Sequence, residues 1–75
     1  MNDKKYVVVE IQTNANGTVA TLSDSFDNKD AAYNKYYTVL AYAAISEIAR
    51  HSACLMDNTG FTLESNYFDH PLSEK

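Results

Sequence analysis

The fold is decided by Lys5-Tyr6-Val7-Val8-Val9-Glu10-Ile11-Gln12-Thr13 and by the Asn14-Ala15-Asn16-Gly17 that follows it. Three consecutive valines and an isoleucine are typical of a β-strand. The Asn-Gly pair predicts a tight turn, and residues 18–23 predict a returning strand, so the stretch should form a hairpin. One face of the first strand holds Val7, Val9 and Ile11, and the other is mixed, with Tyr6, Val8, Glu10 and Gln12.

A helix is predicted over residues 28–47, which contain no glycine or proline and many alanines. Asp27 is the expected N-cap. Further strands are expected at 51–56 and 61–68, with a turn at 57–60 between them and a frayed tail from His70 onward. The boundary between helix and third strand, near residues 46–50, stays open. The order predicts a single α+β domain over residues 1–75, core about 5–70, with ββαββ topology and one helix on a mainly antiparallel sheet.

Composition narrows the classes of partner. A chain of 75 residues with a single cysteine, Cys54, cannot form an internal disulfide, so oligomerisation is the expected source of extra stability. The lone thiol and the lack of a secretory or membrane-spanning segment predict a cytoplasmic protein with no membrane partner. A formal net charge of −4 argues against a nucleic-acid polymer but permits a small anionic ligand.

The predicted helix is apolar nearly all round. At about 100° per residue one stripe collects Tyr33, Tyr36, Tyr37, Leu40, Ala43 and Ala44, and this stripe should lie on the sheet. Tyr42 and Ile45 fall roughly opposite, near Ala41, and these three residues are the predicted oligomer interface. A ligand pocket at the same seam is a compatible alternative.

No motif in the chain predicts a chemistry. The potential metal ligands His51, Cys54 and His70 match no zinc spacing, and no nucleophile motif is present, so no catalytic residue, metal or cofactor is predicted. Arg50 is either a surface residue favoured by the helix dipole or a phosphate clamp. The tyrosines at 33, 36 and 37 are either core or a platform on which a base stacks.

The chain also resembles a family of short, uncharacterised proteins carried by phages and prophages of Firmicutes and related gut bacteria. The resemblance covers roughly residues 5–70. It rests on the strand at 5–12, on the pattern Lys-Tyr-x-x-Val-Leu-Ala-x-Ala-Ala-x-Ser at 35–46, and on a following strand that opens with His51.

This resemblance implies a role in the cytoplasm of an infected bacterial host. Small oligomeric phage proteins of this general kind include the Sequestin and Lockin groups, which sequester ADP-ribose-derived immune signals made by TIR enzymes. By analogy, the chain would be an anti-defence protein that binds a nucleotide signal without cleaving it, through Tyr33, Tyr36, Tyr37, Lys35, Arg50 and His51. The alternative is a non-enzymatic, homo-oligomeric protein–protein interaction module; a hydrolase is a third hypothesis, with no visible nucleophile–base pair.

Overall fold

The computed structural model describes residues 4–70, which form four strands and one helix. The elements are β1 (Tyr6–Thr13), β2 (Val19–Phe26), α1 (Lys29–Ile45), β3 (Arg50–Asp57) and β4 (Thr62–Asp69). The strands form one sheet in the order β2-β1-β3-β4, and every neighbouring pair is antiparallel. The predicted α+β class and the ββαββ order are therefore confirmed.

The two hairpin turns use glycine at a positive φ. Gly17 has a φ of 92° and donates its N–H to the carbonyl of Asn14 at 2.9 Å, as the Asn-Gly signal predicted. Gly60 has a φ of 93° in the β3–β4 turn. There the Asp57 carboxylate accepts hydrogen bonds from Thr59 and from the N–H of Phe61. Side chain and backbone together fix where β4 begins.

Helix α1 begins at an asparagine cap, not at Asp27. Asn28 Oδ1 accepts from the N–H groups of Asp30 at 2.7 Å and Ala31 at 3.1 Å. Asp27 lies one residue too early for this role and instead pairs with Lys5 at 2.8 Å. At the other end the helix stops at Ile45, and Ser46 is the C-cap. The open boundary between helix and third strand is thus resolved, with β3 beginning at Arg50.

The helix covers the mixed face of β1, which carries Tyr6, Val8, Glu10 and Gln12. Val8 and its cross-strand neighbour Leu55 are fully buried beneath α1. Val7, Val9 and Ile11 point to the opposite face, over which no element among residues 4–70 packs. The reason lies in β3, where only the alternate positions from His51 to Asp57 are buried, so β3 selects the covered face for the whole sheet.

The helix is also rotated relative to the predicted stripe, by roughly 70° at 100° per residue. Its buried residues are Ala32, Tyr36, Val39 and Ala43. Tyr37 is 57% exposed and Ala44 is also exposed, so both leave the core, while Tyr33 and Leu40 pack at its margin. Two alanines in the contact let the helix approach the sheet closely, and the longer tyrosines reach over its edge.

His70 is anchored rather than frayed. Its Nε2 donates to the carbonyl of Ala43 at 2.7 Å, and its backbone N–H donates to Ala49 at 2.8 Å. The rest of the predicted tail, residues 71–75, lies outside the described residues. Within residues 4–70, no helix is both long enough and apolar enough to cross a membrane.

Candidate functional site

The residues predicted to bind a ligand lie in four places. Tyr33, Tyr36 and Tyr37 form a cluster on α1, Lys35 lies on the side of α1 nearer β2, Arg50 lies on the uncovered sheet face, and His51 is buried between helix and sheet. The structure brings the tyrosines together. It does not bring Arg50 to them, because the sheet separates Arg50 from the helix.

The three helix tyrosines form a cluster whose members differ in exposure. Tyr36 is 3% exposed and belongs to the core, whereas Tyr37 is 57% exposed. Their ring centroids are 5.3 Å apart in an edge-on arrangement, and the Tyr33 ring lies 6.0 Å from that of Tyr37. The Tyr33 hydroxyl donates to Glu64 at 3.3 Å. Burial, followed by the nearby carboxylate of Glu64, raises the pKa of Tyr33 and also that of Tyr36.

Of these three rings, Tyr37 is the one available to a ligand. Tyr36 fills the core and Tyr33 is tied to Glu64, so each already has a structural role. Glu64 also places a negative charge beside the cluster. A neutral aromatic group can stack there, whereas a phosphate would need a cation from elsewhere.

Arg50 is already paired within its own chain. Its Nε and Nη2 donate to the two carboxylate oxygens of Asp69 at 2.6 and 3.0 Å, and its guanidinium lies 5.1 Å from the centroid of the Tyr67 ring. The hydrogen bonds with Asp69, then its charge, raise the pKa of Arg50, and the same bonds lower the pKa of Asp69. A phosphate would have to displace this bidentate pair.

Lys35 lies across a shallow groove between α1 and β2. Its Nζ is 3.5 Å from a carboxylate oxygen of Asp24, and both side chains are partly exposed. The groove is open, with walls from Phe26, Asn28, Asn34 and Thr38. An exposed pair of this kind contributes little to stability. Lys35 is therefore an accessible cation, but one on the opposite side of α1 from Tyr37.

A partly buried polar network that the sequence did not reveal joins three elements. His51 Nε2 lies 2.6 Å from Glu10 Oε2, and His51 Nδ1 lies 3.0 Å from Ser46 Oγ. Gln12 Nε2 donates to the same Glu10 oxygen at 2.8 Å. Burial acts to raise the pKa of Glu10, but the hydrogen bonds from Gln12 and His51 and the charges of His51 and Lys35 outweigh it, so the pKa is lowered.

The order Ser46, His51, Glu10 has the composition of a hydrolytic triad, but its surroundings do not suit one. A nucleophilic serine needs N–H donors aimed at a developing oxyanion. Here the N–H of Ile48 donates to Ser46 Oγ itself at 3.4 Å. The helix end next to Ser46 presents carbonyls, such as that of Ala43. The network instead ties the end of α1 to β3 and β1.

Potential metal ligands do not converge. His51 lies on the helix side of β3 and Cys54 on the other. No group of three or more His, Cys, Asp or Glu side chains within residues 4–70 could hold a metal ion.

Comparison with known proteins adds no relative: no family model, no curated protein and no solved structure matches the chain.

Proposed function

We propose that this chain is a non-enzymatic interaction module that works as a homo-oligomer, with the outer side of α1 as a contact surface. The observation that supports this is the exposure of Ile45 and Tyr42, at 79% and 65%. Both large apolar side chains lie on the last turns of α1, beside the exposed Ala41. Exposed apolar residues grouped in this way are typical of partner surfaces.

A second copy of the chain is the proposed occupant of this surface. Toward the N-terminal half of α1 the outer side continues with Asn34 and Thr38, which carry no charge. Two copies with a net charge of −4 each repel one another, so a contact between them favours surfaces without charge. Ala41 is small enough to let two helices approach closely, with Tyr42 and Ile45 flanking the contact.

Sedimentation of the variant Ile45→Glu tests the proposal. A carboxylate placed in an apolar contact without a partner is costly, so the variant should sediment as a smaller species than the parent chain at the same concentration. Lys29→Glu is the matched control, because it adds negative charge to the same helix at its exposed first residue. Equal sedimentation of both variants and the parent would refute the proposed contact.

Sequestration of a nucleotide signal is the second candidate function, and the exposed ring of Tyr37 favours it. The Tyr37 ring lies at the surface and packs against the rings of Tyr36 and Tyr33. This arrangement suits stacking of a flat base on Tyr37. Within one chain neither Arg50 nor Lys35 lies on the same side. A phosphate-bearing ligand would therefore take its cation from another copy, and this function rests on assembly. The phage anti-defence setting belongs to this proposal.

Titration with linear and cyclic ADP-ribose tests the second candidate. Tyr37→Ala should weaken binding by about tenfold to a hundredfold, since a stacked base contributes about 1–3 kcal/mol, and the fold should survive because Tyr37 is exposed. Phe61→Ala is the matched control, since Phe61 is also aromatic, is 66% exposed and lies in the β3–β4 turn. Equal losses in both variants, or no binding by the parent chain, would contradict sequestration through Tyr37.

A further inference from the structure

The side of the sheet away from α1 is a second surface, and it is unusually apolar for an exposed one. We call it the open face; it consists of the outward positions of the four strands, among them Val7, Val9 and Ile11 of β1 and Cys54 and Met56 of β3. An antiparallel sheet with one wet face normally alternates apolar and polar residues. β1 does not, because it is apolar on both faces at its centre.

Charge is almost absent from the open face. Most charged side chains of residues 4–70 lie on the helix, in the turns or on the covered side. Among the outward strand positions, only Arg50 and Asp69 are charged, and they neutralise each other at 2.6 Å. A second ion pair, Lys5 with Asp27, flanks the diagonally opposite corner. Serine, threonine and valine occupy most of the area between the corners.

We infer that the open face packs against the open face of a second copy of this chain. The apolar side chains of β1 on the open face are not covered by α1, because α1 lies on the other side of the sheet. An identical face suits it, because it is equally free of unpaired charge and equally rich in small and β-branched side chains. Two twisted sheets of the same hand pack aligned, about 10 Å apart, through residues of this kind.

The size of the face reaches the lower end of the range for a specific dimer. Four strands of eight residues present roughly 26 by 19 Å, or about 500 Å² per copy. Two copies together would cover roughly 1,000 Å², the lower bound for a specific interface. This contact is distinct from the outer side of α1, so the two surfaces together would give an assembly larger than a dimer, with two kinds of two-fold interface.

Cys54 is a native reporter for this contact, because its thiol lies on β3 within the open face and is half-buried. In the parent chain its alkylation rate should fall roughly fivefold once the total concentration is about ten times the dissociation constant, by mass action alone. A rate that is the same at all concentrations, in a chain that sediments as a monomer, overturns the inference without any variant.

Ser23→Glu is the decisive variant. Ser23 lies opposite Val9 on edge strand β2, exposed on the open face, so a glutamate there leaves the core of one copy intact. The variant should form a smaller assembly, and Cys54 should be alkylated at the rate that the parent chain shows in dilute solution. Ala20→Glu is the matched control, on the same strand but on the other face. If folded Ser23→Glu sediments and alkylates as the parent does, the open face is not the interface.

The two proposed self-contacts can be tested separately with these variants. If Ile45→Glu lowers the stoichiometry and Ser23→Glu does not, the outer side of α1 is the interface and the open-face inference is wrong. If only Ser23→Glu lowers it, the open face is the interface and the helix contact is wrong. When both contacts exist, each single variant leaves a smaller assembly and the double variant is a monomer.

Discussion

Glu10 shows how one residue can be polar and still face the core. Its carboxylate accepts from His51 and Gln12, so a group that would be costly beneath a helix is satisfied there. His51 in turn reaches Ser46 at the end of α1. The pair joins β1 and β3 next to the core, and it connects residues 41 positions apart in sequence.

Acid should weaken this pair. The pKa of Glu10 is lowered in the folded chain, so its contribution to stability is complete above the unfolded value near 4.5 and is lost as pH falls through the lower folded value. Glu10→Gln should destabilise the fold by roughly 1.5–3 kcal/mol at neutral pH and should flatten the loss of stability below pH 4.5. Urea unfolding of both proteins from pH 7 to pH 3 measures this, and an unchanged acid slope would contradict it.

Gly17 tests backbone conformation separately from packing. Its φ is 92°, and no atom beyond Gly17 and its two neighbours in the chain lies within 4 Å of where a Cβ would stand. Any loss on substitution therefore comes from the backbone. Gly17→Val should destabilise by more than about 1 kcal/mol and Gly17→Asn by less, because asparagine tolerates a positive φ. Thermal melting of the two variants gives the comparison; equal losses would mean that φ is not the cause.

At the scale of the element, the start of α1 separates a capping residue from a neighbouring charge. Asn28→Ala removes the acceptor for two N–H groups of the first turn and should destabilise by about 1 kcal/mol. Asp27→Ala removes only an exposed ion pair with Lys5 and should change stability by less than about 1 kcal/mol. Chemical denaturation ranks the two; a larger loss for Asp27→Ala would identify it as the true cap.

The elements themselves can be predicted from sequence because each is encoded locally. The Asn-Gly turn, the helix without glycine or proline, and the Asp57–Gly60 turn all act within a few residues. The covered face of β1 is different, because the more apolar face, with Val7, Val9 and Ile11, is the uncovered one, and the choice depends on the alternation of β3. Likewise the contact between His51 and Glu10 depends on the pairing of Gln12 with His51, which no local pattern reveals.

The orientation of α1 shows the same limit. Tyrosines count as apolar in a helical projection. The predicted sheet-facing stripe was therefore centred too close to Tyr37. In the structure Ala32 and Ala43 make the close contact, while Tyr33 turns its hydroxyl to Glu64. The predicted ligand residues separated for a related reason: Arg50 is near His51 in sequence, but adjacent strand positions point to opposite faces.

For the whole molecule, net charge and assembly are coupled. Copies that carry −4 repel, and both proposed self-contacts are nearly free of charge, so raising the salt concentration should strengthen association. Sedimentation equilibrium from about 0.05 to 0.5 M salt, where the Debye length shortens from more than 10 Å to about 4 Å, should show a falling dissociation constant. Weaker association with salt would mean that ion pairs between copies dominate the contact.

The strand order β2-β1-β3-β4 also governs how fast the chain can fold. Each hairpin closes over a short turn, whereas the central β1–β3 ladder joins strands that lie on either side of the helix in sequence. Closing that long segment is the slow, entropically demanding event. Weakening the packing across the central ladder, as with Leu55→Ala, should therefore slow refolding, and stopped-flow mixing of the parent chain and the variant would measure the change.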